Sequence, residues 1–187
     1  MLQTEVKNAL KILKEGGLIL YPTDTVWGIG CDATNEEAVA KVYELKKRVD
    51  SKALICLVTD DRMLSKYVAS IPEAAKSIIE ISETPTTIIY EKAQNLASNL
   101  IAQDKTIAIR IPDHEFCYRL TRKLNGAIVS TSANISGQPT PQSFKEISPE
   151  ILKGVDYVVN LQREKKTGKS SSIIKLNNDG QVKIIRK

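Results

Sequence analysis

Histidine is nearly absent. His114 is the only one in 187 residues, which excludes a His-centred catalytic triad or a multi-histidine metal site except through that residue. The segment Asp113-His114-Glu115 follows Pro112 and reads as a helix start. The three cysteines, Cys31, Cys56 and Cys117, are odd in number, widely spaced and without a C-x-x-C pair. They suggest neither a disulfide framework nor a zinc site and read as buried thiols. Aromatic residues make up 5% of the chain and form no RNP-like pattern, which argues against an RNA module built on base stacking. No apolar run approaches a membrane span, and the first seven residues lack the apolar block of a secretory signal, so a cytoplasmic protein without a membrane partner is expected. No Gly/Ser- or Pro-rich linker and no internal repeat divides the chain. Its length of 187 residues suits one well-buried core, a single domain over 1–187.

Charge is present but uneven. The net charge is +5, and Arg163–Lys187 carries eight basic residues against Glu164 and Asp179, a local +6 that leaves about −1 for the rest. Such a region suits contact with RNA or a nucleotide, although a solvated charged face is the commoner explanation. Val6, Ala9, Leu10 and Leu13 mark an amphipathic helix that Gly16 and Gly17 would end. Helices are expected from Asn35 to about Lys47, opened by a capping box Thr34-Asn35-Glu36-Glu37, and near Arg62–Val68, Pro72–Ile81 and Phe116–Leu124. Strands are expected at Leu18–Tyr21, Leu54–Val58, Thr86–Tyr90, Thr106–Ile111, Ala127–Thr131, Tyr157–Val159, Ser172–Leu176 and Val182–Ile185. The order is mixed α/β, with a strand-rich final third that favours some antiparallel pairs.

Three segments carry chemistry. Ser130-Thr131-Ser132-Ala133-Asn134-Ile135-Ser136-Gly137 places four hydroxyls, an amide and a glycine behind the apolar run Ala127-Ile128-Val129. Small donors and a permissive glycine suit an oxyanion, and they equally suit a Ser-rich turn that caps its own backbone. The strand Leu18–Tyr21 runs into Pro22, which fixes φ and lacks a donor, so the strand should stop there and present Thr23-Asp24-Thr25 at its end. Lys46-Lys47-Arg48 and Lys52 lie at the C-terminus of the second helix. That position suits the helix dipole, and the pairing of a point charge with a bidentate fork suits a polyphosphate.

Together these segments resemble the threonylcarbamoyl-AMP synthase family, also called YrdC/Sua5. The landmarks are Tyr21-Pro22-Thr23-Asp24-Thr25-Val26-Trp27-Gly28, Lys46-Lys47-Arg48 with Lys52, Ala108-Ile109-Arg110-Ile111-Pro112, the Ser130–Gly137 stretch, and Ser170-Ser171-Ser172-Ile173-Ile174, in the family's order. The resemblance implies a single-domain twisted mixed sheet with surrounding helices and a central cavity. It also implies that ATP, L-threonine and bicarbonate or CO2 are joined into threonylcarbamoyl-AMP with release of pyrophosphate, for the N6-threonylcarbamoyladenosine modification of tRNA. A separate tRNA threonylcarbamoyl transferase complex would consume the product. Carried over residue by residue, the ATP contacts are Lys46, Arg48, Lys52, Thr106, Ser132, Asn134, Thr140 and Arg186, with Asn134 either binding phosphate or bracing its loop. The threonine contacts are Thr25, Arg110, Ser130 and Ser171, with Arg110 clamping the carboxylate. Mg2+ would arrive with ATP, held by phosphate and water with Asp24 as an added carboxylate; no catalytic base and no resident metal site is assigned.

Four departures accompany the resemblance: Trp27 stands where the family usually has Tyr, Val49 and Ala53 replace prolines after the cation pair, Leu57 stands where some members carry a histidine that touches threonine, and the extra C-terminal domain of longer members finds no room here. Two other functions remain open on the sequence alone: an RNA-binding protein using the basic C-terminal face without ATP turnover, and a nucleotide-dependent carbamoyl transferase with a different acceptor.

Overall fold

The computed structural model describes residues 1–48 and 54–187. Nine strands among them form one mixed sheet: β1 (Ile19–Tyr21), β2 (Gly28–Gly30), β3 (Ile55–Leu57), β4 (Thr86–Tyr90), β5 (Ile107–Arg110), β6 (Ile128–Ser132), β7 (Tyr157–Val158), β8 (Ser172–Leu176) and β9 (Val182–Arg186). Their order across the sheet is β7-β1-β2-β6-β3-β5-β4-β8-β9. The helices are α1 (Leu2–Lys14), α2 (Glu36–Leu45), α3 (Asp61–Leu64), α4 (Glu73–Ile81), α5 (Glu115–Leu124) and α6 (Pro149–Gly154), with a short 3-10 turn at Phe144–Glu146. The expected mixed α/β sheet is therefore present, and its eight anticipated strands fall where the apolar runs placed them.

Local chemistry sets the element ends. α1 buries Val6, Ala9 and Leu13 along one stripe, and Gly16 then takes φ 74°, a left-handed conformation that a side chain would strain. α2 starts one residue later than the expected capping box. Asn35 is the N-cap and its Oδ1 accepts from the Ala38 amide at 3.0 Å, while the Thr34 hydroxyl is drawn away to Asp32 Oδ1 at 2.7 Å. Two elements were not anticipated. β2 is Gly-Ile-Gly, with little strand propensity of its own, yet a Cβ on Gly30 would lie 2.4 Å from the Val129 carbonyl oxygen and 2.7 Å from Tyr21 Cε1; glycine is what lets β2 lie between β1 and β6. α6 begins at Ser148, whose hydroxyl accepts from the Ile151 amide at 3.4 Å, followed by Pro149 at the first helical turn.

Alternation along the strands sorts the core onto two faces. Leu18 and Leu20 join the larger apolar cluster with Val39, Val42 and Leu64 from α2 and α3. Ile19, Tyr21, Leu57 and Ile128 join the smaller cluster with Val6, Ala9 and Leu13 of α1 and Phe116, Cys117 and Leu120 of α5. All three cysteines are buried thiols.

Candidate active site

Register decides which other residues share the face that α1 and α5 cover. Cross-strand partners point the same way. The pairings Gly28↔Ser132, Ile55↔Ser130, Leu57↔Arg110, Ile55↔Ala108 and Ile89↔Ala108 put Ser130, Ser132 and Arg110 on the face of Leu57. Thr87↔Ile173 and Ile173↔Arg186 extend that face to β9. The helices cover one part of it, and over the rest lies a cavity of about 240 Å3.

That cavity is lined by Thr25, Arg48, Arg110, Ser130, Ser132, Thr140, Ser171 and Arg186, with Ile55, Ile89, Ala108 and Ile173 as an apolar floor. Eight side chains expected from sequence thus meet in one place. Ser170, Gly28 and Ile185 also line it; their signal was membership in the quoted motifs for the first two, whereas nothing local marks Ile185. Among the described residues its lining includes three guanidiniums and no carboxylate. Partial burial pulls the Arg48 and Arg186 guanidiniums below the usual arginine range, because loss of water disfavours charge.

Arg110 is 4% exposed and forms an ion pair through Nη1 with Asp24, which is 11% exposed. Asp24 Oδ2 accepts from the Asp113 amide at 3.2 Å. The Thr23-Asp24-Thr25 turn is held by its own hydroxyl: Thr23 Oγ1 accepts from the Thr25 amide at 3.0 Å and donates to the Val26 carbonyl at 2.8 Å. Thr25 Oγ1 accepts from Arg110 Nη2 at 3.4 Å. On the opposite wall the Thr87 and Ser171 hydroxyls are 2.7 Å apart, and Arg186 Nε and Nη2 donate to the Ser171 carbonyl at 3.0 and 2.7 Å.

Three expected nucleotide contacts, Lys46, Asn134 and Thr106, are not brought to this cavity. Lys46 is 1% exposed, and its Nζ donates to the Ser132 and Asn134 carbonyls, both at 2.6 Å. It sits beneath the Ser130–Gly137 stretch and ties it down; burial, with the nearby Arg48 charge, pulls its ammonium down to about 8. Asn134 braces the same stretch, its Nδ2 donating to the Ile135 and Gln138 carbonyls at 3.1 and 2.8 Å. Thr106 donates to Asp104 Oδ1 at 2.6 Å in the turn before β5. Lys52, like Val49 and Ala53, lies outside the described residues. Leu57 is fully buried in the α1/α5 cluster and offers no polar contact.

A second cavity, about 510 Å3, lies across the Thr23–Thr25 turn and shares Thr25 with the first. Its lining is mixed: Asp24, Glu83 and Asp113 with Lys165, Lys166, His114 and the Trp27 ring. Trp27 therefore walls this cavity and not the smaller one, packed on Phe144 at 4.9 Å between ring centroids. His114 occupies the N-cap position of α5, as its neighbours in sequence suggested, and burial lowers its pKa. Asp24, engaged by Arg110 and the Asp113 amide, does not line the smaller cavity, so the anticipated carboxylate for a metal is absent from its described lining.

Fold and cavity together define a mixed α/β protein with an anion-receptive pocket on one sheet face. The Sua5/YciO/YrdC family model, described as telomere recombination, matches residues 11–187, and the chain belongs to that family. A putative threonylcarbamoyl-AMP synthase of Methanocaldococcus jannaschii is 38% identical over 187 residues, covering 97% of this chain and 87% of that protein. Among solved structures, P. abyssi Sua5 complexed with L-threonine superposes with a TM-score of 0.80 at 27% identity, over 91% of this chain. The present chain spans 50% of that protein's length. E. coli YciO shares the fold with a TM-score of 0.85 at 24% identity, over 99% of this chain and 89% of its own. Among the described residues, no helix is long and apolar enough to cross a membrane.

Proposed function

We propose that the chain is a threonylcarbamoyl-AMP synthase that joins L-threonine, bicarbonate or CO2, and ATP, and releases pyrophosphate. The observation that carries this reading is the convergence of Thr25, Arg110, Ser130 and Ser171 with Arg48, Ser132, Thr140 and Arg186 on one cavity whose described lining holds no carboxylate. The names of the relatives and the threonine complex of P. abyssi Sua5 support it.

In this reading the threonine amine takes up CO2 as a carbamate, a carbamate oxygen attacks the α-phosphorus of ATP, and the bond to pyrophosphate breaks. Negative charge gathers on phosphate oxygens, so the site's work is alignment and charge stabilisation rather than covalent catalysis. Arg110 receives the threonine carboxylate; Thr25, Ser130 and Ser171 hydrogen-bond the amino acid. Arg48 and Arg186 face the nucleotide, with Ser132 and Thr140 donating to it. Lys46 and Asn134 serve the nucleotide indirectly, by fixing the Ser130–Gly137 stretch. The hydroxyl and guanidinium lining offers no carboxylate to a cation, so Mg2+ would be brought by the ATP phosphates and would supply neutralisation of their charge. A cytoplasmic setting and hand-over of the labile adenylate to a tRNA-modifying transferase follow from the same reading.

The test is direct product analysis. Purified protein should release pyrophosphate and form threonylcarbamoyl-AMP only when ATP, threonine and bicarbonate are all supplied. Pyrophosphate release indifferent to omitting threonine or bicarbonate would overturn the assignment. Serine should be the poorer substrate, since one lost methyl in a shaped pocket costs roughly 1 kcal/mol or more.

A further inference from the structure

The Asp24 carboxylate stands between the two cavities. It lines the larger one, yet its Oδ1 is paired with Nη1 of Arg110, which lines the smaller. Its other oxygen is fixed by the Asp113 amide at 3.2 Å. Asp24 is therefore held at both oxygens and meets the smaller cavity through Arg110, without lining it. The guanidinium it holds is unevenly used. Nη1 is engaged by Asp24, Nη2 has a long 3.4 Å bond to Thr25 Oγ1, and Nε is buried with no partner among the described residues. Nε and Nη2 form one edge of the guanidinium plane, and a carboxylate meets such an edge with two parallel hydrogen bonds.

We propose that Asp24 is a positioning residue that fixes the Arg110 guanidinium so that its Nε–Nη2 edge takes up the carboxylate of the amino-acid substrate. This rests on the synthase reading above. Two effects of Asp24 oppose each other and can be separated. Its charge offsets that of Arg110 and so weakens attraction for a carboxylate; its hold on Nη1 keeps the fork aimed and so strengthens it. A buried, doubly anchored carboxylate next to a donor edge whose Nε has no partner among the described residues and whose Nη2 has only the long bond to Thr25 argues that aim dominates.

The experiment is calorimetric titration of L-threonine, and separately of ATP, into wild type, Asp24→Asn, Asp24→Glu, Arg110→Lys and the Asp24→Glu/Arg110→Lys double variant, with melting temperature as control. Asp24→Asn keeps an oxygen for Arg110 Nη1 and loses the charge, giving up the acceptor of the Asp113 amide; Asp24→Glu keeps the charge and displaces the acceptor by one methylene. Positioning predicts threonine affinity within about threefold of wild type for Asn and about tenfold weaker for Glu, the scale of one charge-assisted hydrogen bond lost. ATP affinity should stay put in both. The double variant should bind threonine no worse than Arg110→Lys alone, because Asp24 acts only through Arg110. The proposal is overturned if Glu binds threonine like wild type, if the losses of the double variant multiply, or if threonine and ATP affinities fall together with melting temperature. A wild-type protein that binds ATP but no threonine overturns the synthase reading itself, and this proposal with it; threonine binding by wild type with the wrong variant pattern overturns this proposal alone.

Discussion

The two cavities that meet at Thr25 are built from neighbouring residues and have opposite characters. The smaller takes its lining chiefly from one face of the sheet, selected by strand register, and presents Arg48, Arg110 and Arg186 without a carboxylate. The larger is assembled from turns and helix ends and mixes Asp24, Glu83 and Asp113 with Lys165 and Lys166. Charge of one sign survives in the first because Asp24, the carboxylate nearest to Arg110, is turned to the far side of the Thr23–Thr25 turn. Volume alone would favour the larger cavity as the active site. Electrostatic purity favours the smaller one for a reaction whose substrates are a carboxylate and a polyphosphate.

The strongest way to break this contrast is Arg110→Ala, which strands Asp24 without its cation. A loss of about 3–5 kcal/mol in unfolding free energy is expected, as for other buried pairs cut on one side, together with loss of threonine binding; denaturant unfolding and calorimetry read the two. Arg48→Ala should spare the fold and weaken ATP binding by roughly tenfold to a hundredfold, the worth of charge-assisted bonds to phosphate. Equal losses of melting temperature and activity with unchanged ATP affinity would instead make Arg48 structural.

Lys46 sharpens the contrast from beneath. Its ammonium titrates near 8 in the folded protein against an ordinary 10.5, so between those values the unfolded chain binds more protons than the native one. Stability contributed by this group therefore rises as pH climbs from about 8 to 10.5, with a slope of up to ~1.4 kcal/mol per pH unit, and the burial cost is present in full below that window. Denaturation of wild type and Lys46→Met across the range should differ by that slope; parallel curves would refute the shifted titration. The smallest effect is expected in the larger cavity, where Glu83→Gln, an exposed change, should leave threonine and ATP affinities within about twofold. A large effect there would dissolve the distinction between the cavities.

The sequence made most of this fold legible because its strands are apolar runs closed by Pro, Gly or charge, and its helices carry stripes that survive inspection. β2 escaped because Gly28-Ile29-Gly30 has the composition of a loop; its strand is imposed by β1 and β6, where the Tyr21 ring and the Val129 carbonyl leave no space for a side chain at Gly30. α6 escaped although Ser148-Pro149 is a readable helix start, being only six residues long. At the site, the motifs supplied the residues but not their directions. Lys46 and Asn134 are polar residues next to a phosphate-like loop, and only the fold shows their donors turned to backbone carbonyls. The Asp24–Arg110 pair joins positions 86 residues apart, and no local pattern announces it. Nor does the sequence show that the Asp24 carboxylate holds a guanidinium.

One wall of the smaller cavity has a different permanence from the rest. Ser130, Ser132 and Arg110 stand on interior strands, whereas Arg186 stands on β9, which is exposed along its length and among the described residues pairs with β8 alone. Amides of such an edge exchange with solvent by local fraying, at a free energy well below that of global unfolding. The pocket thus has a floor on interior strands and one side on an edge strand, where local fraying of β9 would release the Arg186 bonds to the Ser171 carbonyl. Hydrogen exchange in β9 should slow markedly when nucleotide bridges Arg186 to the interior strands, and change little in β5 and β6.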